Sequence, residues 1–166
     1  MQKRCSWVNE ANELYVKYHD EEWGVGIHDD NRLFEMLSLE IFQAGLSWEI
    51  VLNKRENFRK VFDNFILDIV ASYDDKKIEE LTKNNSIIRH KLKIKAIVKN
   101  ANIFLNIQRT FGSFDTYLWS FKNSDDLAKD LKQKGMSFIG KTTIESFMEA
   151  VGIINSHELG CFKHNL

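Results

Sequence analysis

Two cysteine–histidine pairs stand near opposite ends of the chain, Cys5 with His19 and His157 with Cys161. His157 and Cys161 are four residues apart, so on a helical turn both side chains project from the same face. Two thiolates and two imidazoles fill every corner of a tetrahedral zinc ion and leave no position open for chemistry, which is the mark of a structural site. A zinc site built from these four residues would join the N-terminal and C-terminal segments.

The spacing of these four residues is not that of a zinc finger, and two other interpretations stay open. The two cysteines can be free thiols in the core, each beside an unrelated histidine. His164 follows Cys161 by three residues and is a rival fourth ligand.

Glu40 is a candidate for a buried carboxylate. It follows Leu33 by seven residues and Leu37 by three, which places it on the apolar face of its helix. A carboxylate there is costly unless a partner satisfies it or its pKa rises. Aromatic residues before and after it, with Gln43 and Gly45 nearby, could form a pocket for a flat, electron-poor or cationic ring; they are Tyr15, Tyr18, Trp23 and Trp48. The alternative is a glutamate at the edge of the apolar stripe and an aromatic core.

A glycine-bounded turn occupies residues 134–143. One helix is expected to stop at Gly135 and the next to open at Gly140, which is typical of a helix–hairpin–helix. Free backbone amides at a helix N-terminus bind anions such as a DNA phosphate, and Lys134 and Lys141 flank the turn. An ordinary connection within a helical bundle also fits this pattern.

Composition limits the class of protein. The chain has 166 residues, enough for one domain over residues 1–166, and its lack of proline suits an all-α fold. We see no secretory signal and no apolar run of membrane-spanning length, and two cysteines do not make a disulfide framework. We therefore expect a cytoplasmic protein that acts away from membranes.

The net charge of −1 hides an asymmetry between the two halves of the chain. Residues 1–80 carry 10 basic and 17 acidic side chains, whereas residues 81–166 carry 13 basic and 7 acidic ones. This split suggests a polyanionic partner for the second half. The alternative is that the basic residues only solvate one helix; they are Arg89, Lys91, Lys93, Lys95 and Lys99.

Helical periodicity dominates the segments that must position these residues. It predicts helices over residues 32–44, 48–62, 76–83, 86–109, from 124 to a stop at Gly135, and 141–151. For the chain as a whole we expect a compact bundle of seven or eight helices, these six included.

Several motifs, in order along nearly the whole chain, resemble the 3-methyladenine DNA glycosylase I family. They include residues 5–7, 18–20 and 23–25, then 39–40, 43–48 and 54–59. Further matches are residues 87–90, 138–140 and 146–148, and finally His157 with residues 160–162. The family belongs to the helix–hairpin–helix glycosylases, so the resemblance implies that fold and the removal of 3-methyladenine from alkylated double-stranded DNA after base flipping.

The resemblance also implies roles for individual residues. Glu40 and Tyr18 would bond the flipped base and Trp48 would stack on it, while Trp7, Tyr15 and Trp23 would complete the pocket wall. We expect Glu40 to recognise the base first and to act in catalysis second. Gly45 and Leu46 would fill the gap in the duplex, and Ile139, Gly140 and Lys141 would hold the DNA backbone. The implied zinc ligands are Cys5, His19, His157 and Cys161.

Sequence also indicates the reaction type. The chain has no aspartate after Asp130 to steer a water, and no lysine between Lys141 and Lys163 to form a Schiff base. We therefore expect a monofunctional, monomeric glycosylase that acts on an already weakened bond and releases 3-methyladenine. Three other functions remain open: a DNA-binding module without catalysis, a zinc hydrolase, and a glycosylase of broader range that also accepts 3-methylguanine.

Overall fold

The structure is a computed structural model that describes residues 2–165, and those residues form an all-helical protein. Its α-helices, in chain order, are α1 (Glu13–Lys17), α2 (Asp30–Gln43), α3 (Trp48–Asn53), α4 (Arg55–Val61), α5 (Leu67–Ala71), α6 (Asp75–Thr82), α7 (Lys91–Phe111), α8 (Phe114–Leu118), α9 (Ser124–Gln133) and α10 (Lys141–Ala150). A π-helical turn, Tyr18–Glu22, continues directly from α1. A short 3₁₀ turn, Asp63–Phe65, joins α4 to α5.

Helix α2 is the centre of the core. Every residue from Leu33 to Phe42 is buried, because α2 packs against α3, α7, α8 and α10 on different sides. The helix begins where the Asp29 carboxylate accepts a hydrogen bond from the Arg32 amide. Glu40 therefore lies inside the molecule, as its spacing predicts.

The segment predicted as one helix over residues 48–62 is instead two helices. Ser47 caps α3 as expected, but Lys54 separates α3 from α4 with φ −95° and ψ 0°. Its amide reaches back to the Ile50 and Val51 carbonyls, which tightens the last turn of α3 and redirects the chain. This break brings Arg55 into the interior at the start of α4.

Helix α7 begins five residues later than expected. The Asn84 side chain accepts hydrogen bonds from the Ser86 amide and hydroxyl, which forms a turn before the helix. His90 is the N-cap, because its ring nitrogen accepts from the Lys93 amide at 3.2 Å. Helix α7 then supports the connection between α9 and α10 through Asn100, which bonds both the amide and the carbonyl of Ser137.

The two ends of the described chain meet. The Phe162 amide donates to the Lys3 carbonyl at 2.8 Å, and the Glu158 carboxylate accepts from the Ser6 amide and hydroxyl. No helix within residues 2–165 is both long and apolar enough to cross a bilayer.

Candidate active site and metal cluster

A cavity of about 230 Å³ opens between the N-terminal segment, α2, α3 and α10. We call it the aromatic cavity; its lining residues are Trp7, Tyr15, Tyr18, Trp23, Glu40, Gln43, Trp48, Ser146 and Glu149. All six residues that the sequence assigns to base binding or catalysis are among them. Since a cavity of about 150 Å³ is enough for benzene, this one has room for a bicyclic base.

The aromatic rings that line the cavity pack against one another in pairs. Trp7 contacts Trp23 edge-to-face with ring centroids 4.8 Å apart, and the Tyr18 and Trp48 centroids are 5.3 Å apart. The indole N–H of Trp48 is buried and has no hydrogen-bond partner among the described residues. Because buried donors are nearly always paired, a bound molecule or water is the natural acceptor for this group.

Glu40 has the most deeply buried carboxyl group among the lining residues, with only 6 % of its surface exposed. Burial raises the pKa of its carboxyl to about 8, and the nearby charge of Glu149 adds to the effect. At neutral pH most Glu40 side chains are therefore protonated, so the carboxyl offers one hydrogen-bond donor as well as acceptors.

Three lining residues received no role from sequence reasoning. Ser146 and Glu149 are three apart on α10, and Gln43 is three residues after Glu40 on α2, so each pair follows helical spacing. Glu149 is half-buried, and burial raises the pKa of its carboxyl. The sequence places Glu149 on a helix, but it does not show that α10 packs against α2.

The four predicted zinc ligands lie together, with their ligand atoms within 4.8 Å of one another. We call Cys5, His19, His157 and Cys161 the Cys/His cluster; all four are buried. The His157 Nδ1 atom is 3.6 Å from both sulfur atoms, and the His19 Nε2 atom is 3.5 Å from the Cys161 Sγ atom. A tetrahedral zinc ion with ordinary bond lengths places sulfur and nitrogen ligands about 3.6 Å apart. The donor set therefore fits zinc.

A second layer of contacts orients this cluster. The His19 Nδ1 atom is 2.8 Å from Asp20, and Arg4 donates to both oxygens of the same carboxylate. These hydrogen bonds from Arg4 hold the pKa of Asp20 below its ordinary value. The Glu158 amide also donates to the Cys5 sulfur at 3.3 Å. Carboxylate–histidine pairs and amide–sulfur hydrogen bonds of this kind commonly support metal ligands.

His164 does not take part in the cluster. Its Nδ1 atom instead lies 2.7 Å from the His157 carbonyl oxygen. Within residues 2–165, the alternative set that uses His164 therefore has no support.

The predicted gap-filling residues lie in the loop between α2 and α3. Gly45 has φ +85°, a conformation that glycine adopts readily, and Leu46 is 38 % exposed. Gln43 holds this loop, because its side-chain amide donates to the Leu46 carbonyl at 2.9 Å. The loop therefore presents an apolar side chain next to the aromatic cavity.

The connection between α9 and α10 contains the predicted phosphate-binding residues. Gly140 is the N-cap of α10, and no side chain caps the amides that follow it. A Cβ atom on Gly140 would meet no described atom within 4 Å, so internal packing does not require glycine there. Ile139 is 1 % exposed as a whole residue, whereas Gly140 is exposed, so Gly140 is the residue of this pair whose backbone is available for contact with DNA.

The lysines differ in how available their ammonium groups are. Lys141 is largely exposed and lies 3.3 Å from Asp125, whereas Lys134 is held by Asp130 at 2.7 Å and lies over the Tyr117 ring. Lys93, grouped with the basic residues of α7, is buried and donates to the carbonyls of Phe42 and Ala44 at the end of α2. Lys93 is therefore not available to bind a DNA phosphate. Of the two lysines near the α9–α10 connection, Lys141 is a stronger candidate for phosphate binding than Lys134.

Comparison with known sequences gives a consistent result. The sequence model of the methyladenine glycosylase family matches residues 7–126 and 121–164. DNA-3-methyladenine glycosylase 1 of Escherichia coli (strain K12) is 41 % identical over 96 % of this chain and 95 % of its own length. These matches span nearly all of both chains.

Solved structures are also similar. A crystal structure of a 3-methyladenine DNA glycosylase I has a TM-score of 0.92 and 42 % identity, and covers 98 % of this chain and 100 % of its own. A variant of such an enzyme in complex with 3-methyladenine has a TM-score of 0.90 and 32 % identity, with 96 % of each chain covered. From the extent of the sequence match and the shared helical fold, we conclude that the chain belongs to the methyladenine glycosylase family.

Proposed function

We propose that this chain is a DNA-3-methyladenine glycosylase in base excision repair, which hydrolyses the bond between the damaged base and its deoxyribose. The observation that carries the proposal is the buried carboxyl of Glu40 inside a cavity walled by aromatic rings. The relative from Escherichia coli is named for this activity, and a related enzyme has been solved in complex with 3-methyladenine.

The neutral carboxyl of Glu40 suits one edge of adenine. That edge presents the N6 amino donor and the N7 acceptor, and a protonated carboxyl can accept from the first while donating to the second. Guanine presents two acceptors at this edge, O6 and N7. The carbonyl oxygen of the carboxyl would then face O6, and neither atom could donate to the other.

Protonation also resolves how Glu40 can assist the reaction. The N3-methylated base is positively charged in DNA and leaves as a neutral molecule, keeping the electron pair of the broken C1′–N9 bond. An ionised carboxylate beside it would favour the charged substrate, whereas a neutral carboxyl does not. Glu40 therefore binds the departing base without stabilising the reactant. Water completes the reaction when its oxygen bonds to C1′ and one of its protons is released to solvent.

Other residues in the cavity bind and orient the base. We expect Trp48 to stack on the flipped base and Tyr18 to bond it, with Trp7, Tyr15 and Trp23 excluding water around it. No lysine lies between residues 141 and 163, so we propose hydrolysis without strand cleavage.

We further propose that the Cys/His cluster holds one structural zinc ion. The ion supplies a cross-link between the two ends of the chain and takes no part in the reaction, because four protein ligands leave it no open position. The donor set and its spacing support this assignment.

For DNA binding we propose a helix–hairpin–helix formed by α9, residues 134–140 and α10. The uncapped N-terminus of α10 would take a phosphate beside Lys141, with Gly140 contributing its exposed backbone and Lys134 a secondary charge. The buried Ile139 would hold the turn in place from the inside. Gly45 and Leu46 would occupy the gap that the flipped base leaves. One domain over residues 1–166, acting as a cytoplasmic monomer, remains our prediction.

The test is release of free base from methylated duplex DNA, with each released base identified by chromatography. We expect the wild type to release 3-methyladenine and Glu40→Ala to be about thirty-fold slower, since two hydrogen bonds of about 1 kcal/mol each are lost. Glu21→Gln, an exposed carboxyl on the π-helical turn, is the matched control. A zinc-loaded, folded wild type that releases no base would favour the DNA-binding module instead.

A further inference from the structure

The π-helical turn Tyr18–Glu22 supplies residues to two different sites. Tyr18 lines the aromatic cavity, and the next residue, His19, belongs to the Cys/His cluster. The turn closes with a hydrogen bond from the Trp23 amide to the Tyr18 carbonyl at 2.8 Å. Turns of this width are rare and occur frequently at functional sites. Of the five residues in the turn, only Tyr18 and His19 are buried. Contacts of the less buried residues with the rest of the protein can therefore help to fix where the turn lies.

Arg55 makes such a contact from the start of α4. Its two terminal nitrogens donate to the two carboxylate oxygens of Glu22, the last residue of the turn, each at 2.7 Å. Such a two-point bond between planar groups fixes orientation as well as distance, which a lysine at this position could not do. Arg55 is buried and the Glu22 side chain is 22 % exposed, so the pair is partly shielded from water.

The same guanidinium also contacts the central helix. Its Nε and one terminal nitrogen lie 3.4 and 3.2 Å from the Glu35 carboxylate. Glu35 is on α2, five residues before Glu40. Arg55 therefore connects the turn that carries Tyr18 to the helix that carries Glu40, and these two segments form facing parts of the aromatic cavity.

We propose that Arg55 is a positioning residue which, through Glu22, fixes the π-helical turn and so sets where Tyr18 and His19 stand relative to Glu40. This inference rests on the proposed function for the identity of the molecule that the cavity binds. The contribution of Arg55 to base binding comes entirely from the position of the turn, because the guanidinium itself is not among the groups that line the cavity.

The chain offers a matched pair of variants for the test. Glu22→Gln and Glu35→Gln each remove a carboxylate that Arg55 binds, but only Glu22 lies on the turn. Glu35 is also bound by Arg59 at 2.6 Å, and we expect α2, which is buried along residues 33–42, to keep its place without Glu35. We therefore expect Glu22→Gln to weaken binding of free 3-methyladenine by about tenfold or more, since small misplacements of binding groups are costly. Glu35→Gln should lower the melting temperature but leave that affinity within about twofold.

A second readout does not depend on the base. Hydrogen exchange, followed by mass spectrometry, reports on the amides of residues 18–23. We expect faster exchange there in Glu22→Gln and unchanged exchange in Glu35→Gln. Arg55→Lys keeps the charge without the two-point bond and should show the same pattern in milder form, so it serves if Glu22→Gln folds poorly.

The outcomes separate this inference from the proposed function. The inference would be overturned if Glu22→Gln had the same base affinity and the same exchange rates as the wild type. It would also be overturned if Glu22→Gln and Glu35→Gln weakened base binding and speeded exchange equally. A wild type that binds no 3-methyladenine would instead contradict the proposed function, and the exchange measurement would still decide whether Arg55 fixes the turn.

Discussion

Replacing Glu40 with glutamine should stabilise the fold, and increasingly so as the pH rises. In the folded chain the carboxyl has a pKa of about 8, against an ordinary value of 4.5. Above pH 4.5 the unfolded chain releases a proton that the native state keeps, so stability falls as the pH rises toward 8. At pH 7 this linkage costs about 3 kcal/mol, and at pH 5 about 1 kcal/mol. Glu40→Gln keeps the shape and removes the cost.

The assay is urea unfolding of zinc-loaded wild type and Glu40→Gln at pH 5, 7 and 8. We expect the difference in unfolding free energy to grow by about 2 kcal/mol between pH 5 and 7. At pH 7 this corresponds to a melting temperature higher by roughly 6–12 °C for a chain of this length. Glu21→Gln, on the surface, should show no comparable change. A difference between Glu40→Gln and wild type that stays constant from pH 5 to 8 would refute the buried, protonated carboxyl.

Three further predictions concern other parts of the molecule. Cys161→Ser should lose bound zinc, measured by elemental analysis, and melt at a lower temperature without a change in which base is released; an unchanged melting temperature would contradict the structural role. Lys141→Ala should make the plot of log DNA affinity against log salt concentration less steep, by the amount expected for about one lost phosphate contact. An unchanged slope would show that Lys141 does not contact a phosphate. Glu149→Gln removes a negative charge near Glu40, so the pKa of Glu40 should fall. In that background, the stability difference between Glu40 and Glu40→Gln should stop growing at a lower pH; an unchanged pH would argue against coupling of the two carboxyls.

The sequence predicted the parts of the fold that depend on periodicity. The long apolar pattern of α2 places Glu40 in the interior, and the actual helix bounds differ from the predicted ones by only one or two residues. Helices α1, α5 and α8 were not predicted, because five residues are too few for a helical period to show. The late start of α7 was missed because His90, rather than Ser86, caps it, and histidine is not among the preferred capping residues.

For the candidate site, sequence predicted which residues meet but not what supports them. Cys5 and His157 are brought together across nearly the whole chain, and their residue types were enough to suggest it. The contacts of Arg55 with Glu22 and of Arg4 with Asp20 were not predicted, because charged residues are common and only the folded chain shows which pairs meet. The proposed positioning role of Arg55 depends on such an ion pair, and periodicity contains no signal for it.

The most direct test of the account compares the affinity of free 3-methyladenine for wild type, Glu40→Gln and Glu40→Ala, measured by titration calorimetry at pH 7. A glutamine side chain offers one acceptor and one donor, like a protonated carboxyl, so Glu40→Gln should bind within a few-fold of wild type. Glu40→Ala should bind about thirty-fold more weakly. If both variants lost binding equally, the neutral carboxyl would be wrong, and if neither did, Glu40 would not be the group that recognises the base.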